Sequence, residues 1–321
     1  MSPSSSVEVE AKFRVHPPFE IPDLLDPRTG AAAMDEPIRH ELRAVYWDTS
    51  DLRLAREGIT LRHRDGEGED ADGWHLKLPV GKIRVVPDAS AVSREEVRVP
   101  GPAQTIPDEL HGLVLPWSRT AVLGPVATLV TDRTAYLLRD ASGRALVELT
   151  DDLVSVVNSG HVAGRFCEIE VEDRGGGEAA ITAVGGLLRA SGAVGGEFVP
   201  KVVRALGPQA SAEPDPPMPG KVSLDEPARC AVREMLRRDV RRLIALDISV
   251  RRDAEDAAHQ MRVTARRLRS ILKTFRGRHT SSTPTRFTSR FRHEAVSRSS
   301  RVSSPSRGTS RHPSSVTLRS G

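Results

Sequence analysis

The sequence predicts an α+β protein: a closed antiparallel eight-stranded β-barrel, a tunnel with flanking helices, then an α-helical region and a disordered tail. Three observations carry that expectation. Up to about residue 220, short alternations of apolar and polar residues recur between Gly, Pro and Asp turn signals, which is the period of half-buried strands. From Ser223 the period becomes helical, and after Gly277 it disappears into Ser, Thr, Arg and Pro.

Val7–Val15 is the clearest strand. Val7, Val9, Ala11, Phe13 and Val15 fall on one face and Glu8, Glu10, Lys12 and Arg14 on the other, because successive side chains of a strand point opposite ways. Seven further segments lie at about Arg43–Thr49, Ile59–Arg64, Trp74–Leu78, Arg94–Val99, Ala127–Leu138, Ala145–Val154 and Phe166–Glu172. Glu178–Ala190 carries Ile181, Val184, Leu187 and Leu188 at helical spacing, so one helix is expected beside the sheet. Pro208–Gly220 reads as a linker, and helices are expected near Asp225–Leu246 and Asp253–Arg276. The tail has Leu318 as its one leucine and Glu294 as its one acid, too little apolar surface to offset the entropy of ordering. The expected division is a tunnel domain over 5–207, a linker over 208–220, a helical domain over 221–277 and a disordered Ser/Arg-rich tail over 278–321.

A chain of 321 residues has room for two domains. It shows no apolar run long enough to span a bilayer and no charged-then-apolar leader, so a soluble, cytoplasmic protein without membrane contact is expected. Cys167 and Cys230 stand far apart and fit reduced thiols better than a disulfide framework or a zinc site. The formal charge of +4 hides a gradient: −11 over residues 1–220, +7 over 221–277 and +8 over 278–321. Such asymmetry points to different ligands for the two parts. Aromatic residues at 4% leave little platform for stacked single strands, so nucleic acid is expected only through the basic tail.

The polar faces of the strands are unusual. They carry ionisable groups of both signs in i, i+2 series: Glu8, Glu10 and Lys12; Arg62 and Arg64; His75 and Lys77; Arg94, Glu96 and Arg98; Glu148 and Asp152; Glu168, Glu170 and Glu172. Antiparallel sheets often wet one side, which accounts for any single strand. Repetition favours a closed barrel that turns these faces toward one lumen. Carboxylates there are hard oxygen ligands for Mg²⁺ or Mn²⁺, and Arg and Lys give charge-assisted hydrogen bonds to phosphate oxygens.

Val7-Glu8-Val9-Glu10-Ala11-Lys12 resembles the E-x-E-x-K signature of the CYTH superfamily, the triphosphate tunnel metalloenzymes that include thiamine triphosphatases, inorganic triphosphatases and class IV adenylate cyclases. Support follows in the expected order: Tyr46-Trp47-Asp48-Thr49, the stretch Leu52–Arg64, His75 and Lys77, Arg94 and Glu96, Thr131-Asp132-Arg133-Thr134, Glu148–Asp152, Glu168–Glu172 and Lys201. The resemblance implies Glu8, Glu10, Asp152, Glu168 and Glu170 as the acidic, metal-facing group, with Glu8, Glu10 and Lys12 at the catalytic centre. It implies Lys12, Arg62, Arg64, Lys77, Arg133 and Lys201 as the grip on the triphosphate. Strand parity favours Asp152 over Asp151, since it shares a face with Glu148. Glu96 and Glu148 are expected either to orient the bases or to form ordinary lumen ion pairs. Arg14, Arg94 and Arg98 are expected at the rim, and His75 in a packing or hydrogen-bonding role.

The reaction that the resemblance implies is metal-dependent hydrolysis of a short triphosphate, inorganic triphosphate preferred. One Mg²⁺ or Mn²⁺ would bridge phosphate oxygens and a second would activate water, while the lumen supplies positioning and electrostatics. No Ser/His/Asp or Cys/His spacing suggests a covalent nucleophile. Adenylate cyclase and thiamine triphosphatase chemistry are the alternatives within the family, and a non-catalytic polyphosphate-binding module is the alternative outside enzymes.

Asp253–Arg276 places His259, Arg262, Arg266, Arg269 and Lys273 on one helical stripe. Met261, Ala265, Leu268, Leu272 and Phe275 form a second stripe about 100° round, expected to pack on a neighbouring helix. The basic stripe reads as a solvated face or as a polyanion-binding one. His259-Gln260-Met261-Arg262 with Arg266-Arg267-Leu268-Arg269 and Lys273 looks like the opening helix of the CHAD domain, a helical family commonly attached to CYTH domains and associated with polyphosphate. That resemblance covers about 221–277 and implies polyphosphate binding by His259, Arg262, Arg266, Arg269 and Lys273. The break at Gly277 is expected to reflect a frameshift or a truncated gene, with a genuine basic tail that binds nucleic acid through phosphate contacts as the alternative.

Overall fold

The computed structural model describes residues 4–275 apart from 67, 69–71, 87–88 and 196–198. In chain order the elements are β1 (Ser4–Val15), β2 (Ala33–Met34), β3 (Ile38–Asp48), α1 (Arg53–Arg56), β4 (Thr60–Asp65), β5 (Gly73–Val86) and β6 (Ala89–Val99). Then come α2 (Asp108–Ser118), β7 (Gly124–Arg139), β8 (Ala145–Asn158), β9 (His161–Asp173), α3 (Gly177–Ala190), β10 (Val194–Gly195), α4 (Lys201–Leu206), α5 (Ala228–Arg251) and α6 (Ala257–Phe275). All eight expected strands are present.

The long strands close in the order β1, β6, β5, β4, β3, β7, β8, β9 and back to β1, each pair antiparallel. Closure abolishes the edges an open sheet would expose. The closing seam sets Lys12 opposite Glu170 and Glu10 opposite Glu172. Elsewhere the register sets Arg133 opposite Asp152, Lys77 opposite Glu96 and Glu8 opposite Arg94. Acids and bases far apart in sequence thus become cross-strand neighbours, the distance at which strand side chains interact.

The barrel is built apolar side out. Its outer faces are covered by helices in three clusters. Ala11, Phe13, Leu149, Ile169 and Val171 pack under Ile181, Val184 and Leu188 of α3. Leu61, Trp74, Leu76 and Val97 pack under Leu110, Val114 and Trp117 of α2. Ala44, Leu129 and Val154 meet Val202 and Val203 of α4. The alternation that buries these residues outward sends the charged positions inward. Gly185 lets α3 approach β1, since a Cβ there would stand 2.9 Å from the Phe13 ring.

α3 matches the expected helix, whereas α2 was not expected. Its Leu110, Leu113, Val114 and Trp117 have helical spacing, but Gly112 and Pro116 interrupt the pattern as breakers do. Residues 208–220 are hydrogen-bonded to the ends of α1 and α2: Arg56 Nε donates to the Glu213 carbonyl at 2.8 Å and Arg119 Nη1 to Asp215 at 2.9 Å.

α5 and α6 pack on one another, and the stripe of α6 that does so differs from the expected one. Ala257, Thr264 and Ile271 are buried, with Met261, Leu268 and Phe275 half-buried, while Ala265 and Leu272 face solvent. The 3,4 spacing of 257, 261, 264, 268, 271 and 275 is that of a two-helix seam. Arg267 fixes the rotation by pairing with the wholly buried Asp239 of α5. The expected tail lies outside the described residues. Among those described, no helix is long and apolar enough to cross a membrane.

Candidate functional site

The lumen is a cavity of about 300 Å³ whose wall holds Glu8, Glu10, Lys12, Arg62, Arg64, Lys77, Arg133, Glu170 and Lys201 together with Arg94, Glu96, Arg98, Glu148, Glu172 and Arg174. Nine of the eleven tunnel positions expected from the sequence thus line one cavity. The other two, Asp152 and Glu168, lie just behind its surface, bonded to Lys201. Burying so many charges is costly unless each is paired. The pairing is extensive and falls into two groups.

The first group centres on Lys201, the opening residue of α4. Its Nζ lies 3.0 Å from Asp152 Oδ2, 2.7 Å from Glu168 Oε1 and 2.8 Å from Glu170 Oε1. Arg133 forks onto both Asp152 oxygens at 2.8 and 2.7 Å and reaches Glu170 at 3.0 Å. Lys12 also donates to Glu170. Burial opposes ionisation of Asp152 and Glu168, yet the Lys201 ammonium beside both, with Arg133 at Asp152 and Lys12 at Glu168, holds both carboxyls below the usual range. Burial and the neighbouring Lys201 bring Lys12 down to about 8, against the pull of Glu10 and Glu168.

The second group centres on Glu96, which is 1% exposed. Its carboxylate accepts from His75 Nδ1 at 3.1 Å and from Arg98 Nε at 2.5 Å, with Lys77 at 3.7 Å and Arg62 at 3.9 Å. Burial works against the charge on Glu96, but Lys77, the hydrogen bond from His75 and Arg62 overcome it and keep the carboxyl ionised. Burial drives His75 down to about 4, so the ring is neutral and donates to Glu96. Lys77 also donates to Glu8, and Arg98 lies 3.4 Å from it. Arg62 donates to the Tyr46 hydroxyl at 3.2 Å and sits over that ring, while its Nε is buried with no hydrogen-bond partner.

Between the groups lie Glu10 and Glu172. Burial opposes the charge on Glu10, but Lys12, Lys77, Arg94 and Lys201 outweigh it and hold its carboxyl at about 2. Its Oε1 is buried without a partner. Burial pushes Glu172 up to about 7, with Glu8 and Glu10 adding to the rise and Arg174 and Lys77 opposing it.

Asp152, Glu168 and Glu170 present oxygens within 4.8 Å of one another and can hold a metal ion. A hard, all-carboxylate donor set fits Mg²⁺ or Mn²⁺, and the Lys201 ammonium now occupies its centre, where an ion would have to displace it. Glu8 and Glu10, placed with these three from the sequence, lie outside that group of oxygens: Glu8 is turned toward Lys77 and Arg98, while Glu10 lies 3.9 Å from the Lys12 Nζ that also reaches Glu168 and Glu170. Asp152, wholly buried, takes the position that parity assigned to it, while Asp151 is half-buried.

Arg94 corrects an expectation. It is 3% exposed and holds no place at the rim: Nη2 donates to the carbonyls of Gly58 at 2.9 Å and Lys77 at 3.2 Å. Arg98 and Arg14 do lie toward solvent. Glu172, on the inward face expected of it but given no role there, and Arg174, which carries no sequence signal of its own, also line the cavity. The run Glu168-Ile169-Glu170-Val171-Glu172 already put Glu172 on the same face as its two predecessors. On α6, His259, Arg262, Arg266, Arg269 and Lys273 are all exposed.

The family model of the CYTH domain matches residues 6–193, and that of the CHAD domain matches residues 234–295, a partial domain that runs past Gly277. Two uncharacterized proteins of Mycobacterium tuberculosis, one from strain CDC 1551 / Oshkosh and one from strain ATCC 25618 / H37Rv, are each 36% identical over 294 residues. The match covers 84% of this chain and 52% of each relative, so the chain spans about half the length of the curated relatives it matches. Similar solved structures include HpAC1 from Hippeastrum, described with a dominant triphosphatase activity, at 20% identity and TM-score 0.35, covering 63% of this chain and 98% of that one. The Pct1 RNA triphosphatase of S. pombe has 13% identity and TM-score 0.31, covering 58% and 81%.

Proposed function

Because the chain belongs to the CYTH domain family, we propose that its barrel binds inorganic triphosphate and hydrolyses it to pyrophosphate and phosphate in a metal-dependent reaction. The observation that carries this reading is the composition of the lumen. Nine cationic side chains and six carboxylates line it, against Ile38, His40, Tyr46, Ala135 and Pro200 as the apolar or aromatic ones. The Tyr46 ring lies under Arg62, which leaves little for a nucleobase or a thiazolium to stack on.

The bases supply the grip. Arg62, Arg64, Lys77, Lys12, Arg133 and Lys201 would donate to phosphoryl oxygens, with the unpartnered Arg62 Nε ready to do so without giving up a bond. Charge-assisted bonds from several directions fix the chain of phosphates and offset its negative charge. Glu96 keeps Lys77 and Arg62 aimed inward. Asp152, Glu168 and Glu170 would hold Mg²⁺ or Mn²⁺, which when bound supplies Lewis-acid withdrawal of charge from the phosphoryl group. Glu10 Oε1, ionised and unpartnered, would accept a hydrogen bond from the attacking water and orient it, and Glu8 holds Lys77 in place. Little covalent work is asked of the protein, since phosphoryl transfer depends mainly on positioning and electrostatics.

We assign residues 5–207 to this tunnel unit, 208–220 to a connection and 221–277 to a helical unit whose stripe of His259, Arg262, Arg266, Arg269 and Lys273 binds polyphosphate. The test is phosphate release from tripolyphosphate, thiamine triphosphate and ATP with Mg²⁺, with Mn²⁺ and with chelator. Release from tripolyphosphate ahead of the others, lost in the Glu8→Ala, Glu10→Ala double variant, is expected. Cyclic AMP from ATP, or equal rates in the variant, would overturn the proposal.

A further inference from the structure

α5 lies against the outer wall of the barrel through an apolar contact and two ion pairs, and both ion pairs fall beside groups that neighbour one residue of the lumen. Ile244 and Ile248 pack on the cluster of Leu54, Ile59, Leu61, Trp74, Leu78 and Trp117. Beside them, Arg241 forks onto the Glu57 carboxylate at 2.9 and 2.6 Å and also donates to the Pro216 carbonyl at 2.6 Å. At the end of the helix, Arg252 donates to Glu95 Oε1, which accepts from Ser5 Oγ at 2.7 Å as well.

Each acceptor adjoins a group that holds Arg94. Glu57 precedes Gly58, whose carbonyl accepts from Arg94 Nη2 at 2.9 Å. Glu95 follows Arg94 itself on β6, and its outward side chain alternates with the inward Arg94 and Glu96. Fixing Glu95 from outside therefore fixes the strand segment that delivers Arg94 and Glu96 to the lumen, and fixing Glu57 fixes the carbonyl that receives the guanidinium. A crevice of about 430 Å³ remains between α5 and the barrel, lined by Glu57, Leu78, Glu95, Trp117, Ile244 and Ile248. The crevice leaves the apolar contact of Ile244 and Ile248 incomplete, and an ion pair stands on either side of it, Arg241 with Glu57 and Arg252 with Glu95.

We infer that α5 is a brace on the tunnel: Arg241 and Arg252, which never enter the lumen, are positioning residues that set Arg94, and through it the affinity for triphosphate. The inference rests on the proposed activity of the tunnel. It makes the helical region part of the binding machinery of the barrel, in addition to any ligand of its own.

The experiment uses the full chain with Arg241→Ala and Arg252→Ala combined, and the pair of lysine replacements at the same positions. In the alanine variant KM for tripolyphosphate is expected to rise about tenfold with kcat nearly unchanged, as loss of ground-state binding requires. The lysine variant, which keeps both charges, is expected to recover most of the affinity. Amide hydrogen exchange over residues 58–65 and 92–99 is expected to speed up in the alanine variant and to leave β8 untouched. Unchanged KM and unchanged exchange would overturn the brace. A fall in kcat with KM constant would do the same. If the native chain shows no turnover, the proposed function fails by itself. The brace is then decided by exchange and by calorimetric binding of tripolyphosphate. Should the double variant fail to fold, Arg252→Ala alone is measured in the same way.

Discussion

Arg133 and Arg266 carry the same guanidinium, and the protein uses them in opposite ways. Arg133 lies inside the barrel, forked onto Asp152 and bonded to Glu170. Arg266 stands in solvent on α6, on one stripe with Arg262, Arg269 and Lys273. A buried charge loses its hydration and must be compensated by a partner of fixed geometry. An exposed charge keeps its water, costs little and is screened by salt. The lumen is thus a rigid array in which a polyanion must displace or share carboxylates already in place. The stripe on α6 is an adaptable surface whose spacing alone is set.

Removing a partner inside the lumen should be the most damaging change. Arg133→Met leaves Asp152 and Glu170 with Lys201 and Lys12 alone, and breaking a buried charge pair typically costs about 3–5 kcal/mol. The midpoint of urea unfolding should fall accordingly, and tripolyphosphate hydrolysis should drop by about two orders of magnitude, the scale of a lost transition-state donor. A variant with a native midpoint would show that the lumen is far wetter than its packing implies.

Lys201→Ala poses a sharper question. It removes the ammonium from three carboxylates that lie within reach of one ion. In chelator the variant should melt several degrees below the native chain, and millimolar Mn²⁺ should restore most of the loss, since a ligand that binds only the folded state stabilises it by mass action. A melting temperature indifferent to Mn²⁺ would mean that the triad serves Lys201 and holds no metal.

The contrast also explains what could be read from the sequence. Strand alternation is local, so the inward placement of Glu8, Glu10 and Lys12, of Arg62 and Arg64, and of Glu168 and Glu170 follows from parity alone. Depth within the barrel is not local. Arg94, Glu96 and Arg98 share one face, but whether that face meets the rim or the centre depends on the stagger that pairs Arg94 with Glu8. The seam that brings Lys12 to Glu170 depends on closure between strands more than 150 residues apart. The buried stripe of α6 was misjudged for a similar reason. Its period was visible, but its rotation is set by Asp239 on α5, which takes Arg267. Small residues such as Ala257 and Thr264 then face the seam where larger ones were expected.

His75 offers a test of burial within the lumen wall. Its folded pKa of about 4 lies below the ordinary 6.5, so between those values the unfolded chain binds the proton and the folded chain does not. Stability contributed by the neutral ring is therefore present above pH 6.5 and is lost as pH falls toward 4. His75→Asn keeps a donor for Glu96 and removes the titration. The native chain should lose more stability between pH 7 and pH 4.5 than the variant does, as read by parallel thermal melts. Equal losses would place His75 in a far more hydrated site.

The exposed stripe should show the smallest change in stability and the largest dependence on salt. Replacing Arg262, Arg266 and Arg269 together by alanine removes no partner that the structure assigns to them, so unfolding free energy should move by about 0.5 kcal/mol or less per site. Tripolyphosphate turnover in the tunnel should stay within twofold. Long-chain polyphosphate binding to the native protein, by contrast, should weaken steeply as salt is raised, because each contact on an open surface releases bound counterions and is screened within about 10 Å. The triple variant should bind weakly at every salt concentration and lose that steepness. If native and variant chains bind long polyphosphate alike, the charges on α6 are only a solvated face, and any polyanion binding by this protein belongs to the lumen.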